Sequence, residues 1–133
     1  MYTSRFQQEV DFVQALNTWV FCLSDDRIGL LSLRDKRFHV LAAFSSTHEV
    51  EHLQEELFST ANDLADRLEA LREEIKSYIQ VDCKPRPLGL SLSHVEKFNR
   101  FKSNVRSLQM EVYRFSLKKL SLDIGTGESI EIF

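Results

Sequence analysis

The chain is predicted to be an α+β protein, mostly α: an antiparallel, coiled-coil-like hairpin of two long helices, with an N-terminal helix and two short β-hairpins beside it. Three observations predict this. Apolar residues recur in alternating steps of three and four through residues 57–78 and again through 98–115, the spacing of a heptad seam. The two stretches are oppositely charged: residues 45–80 hold nine acidic side chains against three basic, and residues 84–119 nine basic against two acidic. Finally, residues 27–44 and 120–133 each place apolar runs on both sides of a polar or glycine-containing break, as a hairpin does.

Residues 6–23 set Phe6, Val10, Val13, Leu16 or Asn17, and Val20 at helical spacing, with Phe12, Trp19 and Phe21 widening the apolar face. Asp25-Asp26 is expected to end this helix. Ile28, Leu30, Leu31 and Leu33 then precede Arg34-Asp35-Lys36-Arg37, and Phe38, Val40, Leu41 and Phe44 follow it. Two short apolar runs around a charged quartet predict the first hairpin. A helix over 30–44 competes with it, because the quartet contains no Gly, Asn or Pro to make the turn.

Ser46 followed by Glu49 has the pattern of a capping box, in which a hydroxyl and a carboxylate satisfy orphan amides at a helix start. The second helix should therefore begin near Thr47. Its seam is Leu57, Ala61, Leu64, Leu68, Leu71, Ile75 and Tyr78. Pro85 and Pro87 stop it, since proline lacks the amide donor and restricts its predecessor. Ser93 with Glu96 repeats the capping pattern, and a third helix should run to about Leu120 on the seam Phe98, Phe101, Val105, Leu108, Val112 and Phe115. Lys97, Arg100, Arg114 and Lys118 flank that seam on one side, Lys102 and Arg106 on the other. The second helix offers Glu56, Asp63 and Glu74, then Glu55 and Glu69, in the equivalent places. Such flanking charges choose partners more than they stabilise them, and here they favour pairing the second helix with the third. Leu120, Leu122 and Ile124, then Gly125-Thr126-Gly127, then Ile130 and Ile132, predict the second hairpin.

A length of 133 residues with 43% hydrophobic side chains and ten phenylalanines fits one folded domain. It divides into 1–45, 46–120 and 121–133. Ending on Ile132-Phe133, just after an expected strand, points to the N-terminal part of a longer protein. No apolar run approaches about 18 residues, and the N-terminus lacks the apolar core of a signal peptide. Cys22 and Cys83 share no metal-like or redox-like spacing. Together these predict a reduced, intracellular setting, cytoplasmic or nuclear, without a membrane. A net charge of −3 weighs against nucleic-acid binding by bulk charge, although the uneven distribution weakens the point.

One catalytic pattern occurs. His48-Glu49-Val50-Glu51-His52 matches H-E-x-x-H, whose two imidazoles one helical turn apart can ligate zinc while the glutamate acts as general base. Glu51 puts a charge where that helix would need burial, and Glu49 is already accounted for as a capping residue. A third ligand among Glu69, Glu73, Glu74, Glu96 or Glu111 is not marked. Gly125-Thr126-Gly127 is too short for a phosphate loop. No cofactor or metal is assigned.

The expectation is a non-enzymatic protein–protein interaction or assembly module, forming a homodimer or engaging a protein partner through its amphipathic helices. The interaction residues would be Leu57, Leu64, Leu68, Leu71, Ile75, Phe98, Phe101, Val105, Leu108 and Val112. The alternative is a nucleic-acid-binding module using Lys97, Arg100, Lys102, Arg106, Arg114 and Lys118. A second alternative is a minimal zinc metallohydrolase through His48, Glu49 and His52.

Overall fold

The computed structural model describes residues 5–44, 47–82, 91–119, 121–123 and 129–131. Three helices account for nearly all of them: α1 (Arg5–Ala42), α2 (His48–Asp82) and α3 (Leu92–Leu117). Ring contacts fix their directions. Phe12 meets Tyr78 near the end of α2 and Phe98 near the start of α3, with centroids 6.4 and 5.2 Å apart. At the other end Phe38 meets Phe58, 4.9 Å away, and Arg37 reaches Phe115. Thus α2 runs antiparallel to α1 and α3, which are parallel to each other.

This is a helical bundle, and the α+β class with two β-hairpins is overturned. Residues 27–44, expected to form a hairpin, continue the first helix without a break. The decisive spacing is Leu16, Leu23, Leu30 and Arg37, seven apart, followed by Leu41; the four leucines are almost fully buried and Arg37 is buried with them. Such a stripe lies on one face of a helix but would be split between both faces of a two-stranded ribbon. Asp25-Asp26 interrupts nothing. Asp25 is exposed, and Asp26 accepts a hydrogen bond from Gln109 Nε2 at 3.1 Å. Near the C-terminus, two three-residue segments, β1 (Ser121–Asp123) and β2 (Ser129–Glu131), pair antiparallel with Leu122 opposite Ile130. So small a ribbon adds no layer to the fold. Ile124 and the Gly125-Thr126-Gly127 turn lie outside the described residues.

The helix pairing is also rearranged. The most extensive contact joins α1 to α2, and α3 lies along that pair with smaller contacts to each. At 38 and 35 residues, α1 and α2 are each more than about 50 Å long, whereas α3, with 26 residues, reaches only about 39 Å. No helix among the described residues is long and apolar enough to cross a membrane.

Both helix starts move from their expected caps. The Thr47 hydroxyl accepts from the Val50 amide at 3.2 Å, so the cap falls one residue beyond Ser46, which lies outside the described residues. The cap of α3 falls two residues before Ser93: the Ser91 hydroxyl accepts from the His94 amide at 3.3 Å and lies 2.6 Å from His94 Nδ1. The other ring nitrogen, Nε2, is 3.2 Å from the Asp82 carbonyl. A carbonyl only accepts, so Nε2 carries the proton and Nδ1 accepts that of Ser91. His94 thereby ties the end of α2 to the start of α3. Ser91→Ala is expected to cost about 1–2 kcal/mol, because it removes a cap and the partner of a buried imidazole together. A chemical-denaturation midpoint followed by circular dichroism would show it.

Candidate interaction surface

The ten apolar residues expected to meet a partner face inward. Leu57, Leu64, Leu68, Leu71 and Ile75 on α2, and Phe101, Val105 and Leu108 on α3, are buried, while Phe98 and Val112 are half-buried against the same core. The two heptad stripes turn toward α1, whose Leu16, Leu23, Leu30 and Leu41 complete the interior. An aromatic cluster closes one end. Phe98 lies 4.8 Å from Trp19, and Phe101 lies 5.5 Å from Tyr78.

The opposite charges of α2 and α3 are partly spent between them. Lys97 pairs with Glu74 at 3.6 Å, and Lys118 with Glu56 at 3.4 Å, both in the expected polarity. The best-formed pair is reversed: Arg67 of α2 grips Glu111 of α3 through both nitrogens. That hydrogen bond raises the Arg67 pKa further above its ordinary value, so the guanidinium stays charged at any pH the fold will meet. With 47% and 37% of the two side chains exposed, water screens the attraction. A double-mutant cycle on Arg67→Ala and Glu111→Ala should return a coupling of only about 0.3–1 kcal/mol.

What remains outward is the far side of α3. Arg100, Lys102, Arg106 and Arg114 form no ion pair among the described residues, and all four are exposed. Around them stand large apolar side chains left in water: Met110 at 50%, Tyr113 and Leu117 at 58% each, with Val95 and Leu92 nearer the helix start. Residues 102, 106, 110, 113 and 117 are one turn apart and share a face. Opposite the core on α1, Phe21 and Ile28 are also exposed, seven residues apart. The signal for both faces is in the sequence, as apolar residues half a turn from the buried stripe.

The H-E-x-x-H residues sit at the start of α2, where His48, Glu49 and His52 are all exposed. Among the described residues, no group of three or more His, Cys, Asp or Glu side chains could hold a metal ion. Most of the candidate third ligands are engaged elsewhere: Glu69 and Glu73 with Arg72, Glu74 with Lys97, Glu111 with Arg67. Cys22 is a half-buried free thiol, and Cys83 lies outside the described residues. An open depression where α2 ends and α3 begins is lined by Tyr78, Asp82, Ser91, His94, Glu96 and Arg100, among others. Its mixed charges define no nucleophile and no oxyanion site.

The fold and surface therefore define a three-helix bundle with an apolar, cationic outer helix face. Comparison with known proteins adds no family: no family model, no curated protein and no solved structure matches the chain.

Proposed function

We propose that the chain is a non-enzymatic protein–protein interaction module working in an intracellular setting, with α3 as its contact helix. The supporting observation is the outer face of α3, where Met110, Tyr113 and Leu117 stand in water between cations that form no ion pair among the described residues. Exposed apolar side chains grouped on one face, with arginine and tyrosine among them, have the composition of a protein contact surface. The seam residues named from sequence would then carry the scaffold, and the contact would pass to the opposite side of the same helix. A photo-crosslinking amino acid placed at Tyr113 tests this in the native cell. A discrete protein adduct is expected there, and none at exposed Ser32 on α1. Equal labelling at the two positions would remove the reading.

These four cations, without an ion pair among the described residues, also favour a second reading, nucleic-acid binding through Arg100, Lys102, Arg106 and Arg114. It predicts affinity for mixed-sequence single or double strands that falls steeply with salt, with a log–log slope of about −3 to −4 if each cation meets one phosphate. Fluorescence anisotropy showing no binding at low salt would eliminate it. The apolar side chains between the cations favour the protein partner, because phosphates offer them nothing.

A further inference from the structure

We infer that the outer face of α3 docks on the outer face of α2 in a second copy of this chain. The inference rests on the interaction-module reading and names its partner. Two complementary stripes carry it. On α3, the cations Lys102, Arg106 and Arg114 stand among the large apolar side chains of Met110, Tyr113 and Leu117, and all are exposed. On α2, Glu55, Ser59, Asp63, Asp66, Ala70 and Glu73 are small and acidic, and all are exposed as well.

The spacing of the stripes matches. Positions 55, 59, 63, 66 and 70 step by four, four, three and four, as do positions 102, 106, 110, 113 and 117. Two helices with the same face period can keep their stripes in contact over several turns. The shapes also suit each other. Ser59 and Ala70 leave shallow sites between the carboxylates, where Met110, Tyr113 or Leu117 could seat, whereas two large stripes or two small ones would not interdigitate. Charge then selects the pairing. Glu55 and Asp66 form no ion pair among the described residues, and neither do Lys102, Arg106 or Arg114; α2 on α2 or α3 on α3 would bring like charges together.

Within one chain these faces point away from the core and cannot meet. Between chains they can. The contact closes as a two-fold dimer where each copy's α3 meets the other's α2, and otherwise propagates from copy to copy.

The competing occupants make different demands. An anionic lipid surface would use the α3 stripe and ignore the acidic one on α2, and so would a nucleic acid. Only a second copy makes the two stripes depend on each other. The intact chain is therefore followed by sedimentation velocity through a dilution series up to about 100 μM. It is run at about 50 mM and about 500 mM salt, between which the Debye length falls from about 14 to about 4 Å. Self-association is expected at low salt, weakened tenfold or more at high salt. R106E/R114E should lose it, as should E55K/D66K, and an equimolar mixture of the two variants should regain it, since each then supplies the stripe the other needs. Circular dichroism establishes that both variants keep their helices, and the milder R106Q/R114Q should weaken association without abolishing it.

A parent chain that stays monomeric throughout overturns the inference, and so does a mixture that fails to associate. Flotation of the parent with phosphatidylserine vesicles, lost in R106E/R114E and unchanged in E55K/D66K, would assign the face to lipid instead. The interaction-module reading fails separately: an adduct at Tyr113 with a different protein keeps that reading while refuting the second copy.

Discussion

Phe101→Ala is expected to lower the stability of the fold by about 3–5 kcal/mol, the usual cost of emptying a buried aromatic site. Phe101 is fully buried, packs edge-on against Tyr78 at 5.5 Å, and has the Lys97 ammonium 5.1 Å from its ring centre. Its loss would open a cavity at the junction of α2 and α3. Against a total of about 5–15 kcal/mol for an ordinary domain, that is a large share. Phe101→Leu keeps most of the volume and should cost less than about 1.5 kcal/mol. Guanidinium denaturation followed by circular dichroism separates the two, and near-equal midpoints for both variants would mean the ring is not packed as described.

Arg37→Leu comes next, at about 2–3 kcal/mol. Arg37 is buried, donating from Nη1 to the Phe115 carbonyl at 3.0 Å and from Nη2 to the Ser116 carbonyl at 2.8 Å, with its guanidinium over the Phe115 ring. The last carbonyls of a helix have no partners within it, and their partial negative charge favours a cation. Burial pushes the Arg37 pKa down, yet a guanidinium stays protonated in proteins, so the charge remains. Leucine would fill the space and leave the Ser116 carbonyl without its donor, a loss of the size given for hydrogen bonds to charged groups. Arg37→Lys should recover little, because an ammonium cannot span both carbonyls as the planar fork does. Hydrogen exchange at residues 113–117 would rise in both variants. Unchanged exchange there would show that the arginine does not cap α3.

The same arginine shows why residues 27–44 read as a hairpin in sequence, although the helix expected over 6–23 is present and simply continues through them. Arg34-Asp35-Lys36-Arg37 resembles a charged turn when read in order. On a helix the four side chains point four ways. Arg34 lies over Phe58 and donates to Asn62 at 2.6 Å; Asp35 and Lys36 face water; Arg37 goes inside. Its burial depends on carbonyls 78 and 79 residues away, which local patterning cannot reveal. The seven-residue recurrence of Leu16, Leu23 and Leu30 carries the helical signal, against the two short apolar runs on either side of the quartet. On α2 and α3 the apolar periodicity was sustained enough to mark helices, and those stripes are buried. Their period could not say what buries them: a heptad stripe needs a neighbour, and α1 supplies it as well as a second copy would. The outward surface is legible only in fragments, since Met110 and Leu117 fall off the seam in sequence whereas Tyr113 is marked by its exposure in the fold.

The tilted contact of Trp19 with Phe98 gives the molecule an internal reporter. This is the only tryptophan in the chain, and it stands where α1 touches the start of α3, 4.8 Å from the partner ring. Its emission therefore responds to the seating of the third helix, while helical ellipticity is dominated by the longer α1 and α2. If α3 leaves first, the two signals part; if the bundle opens as a unit, they coincide. The cooperativity of this fold can be measured without attaching a label.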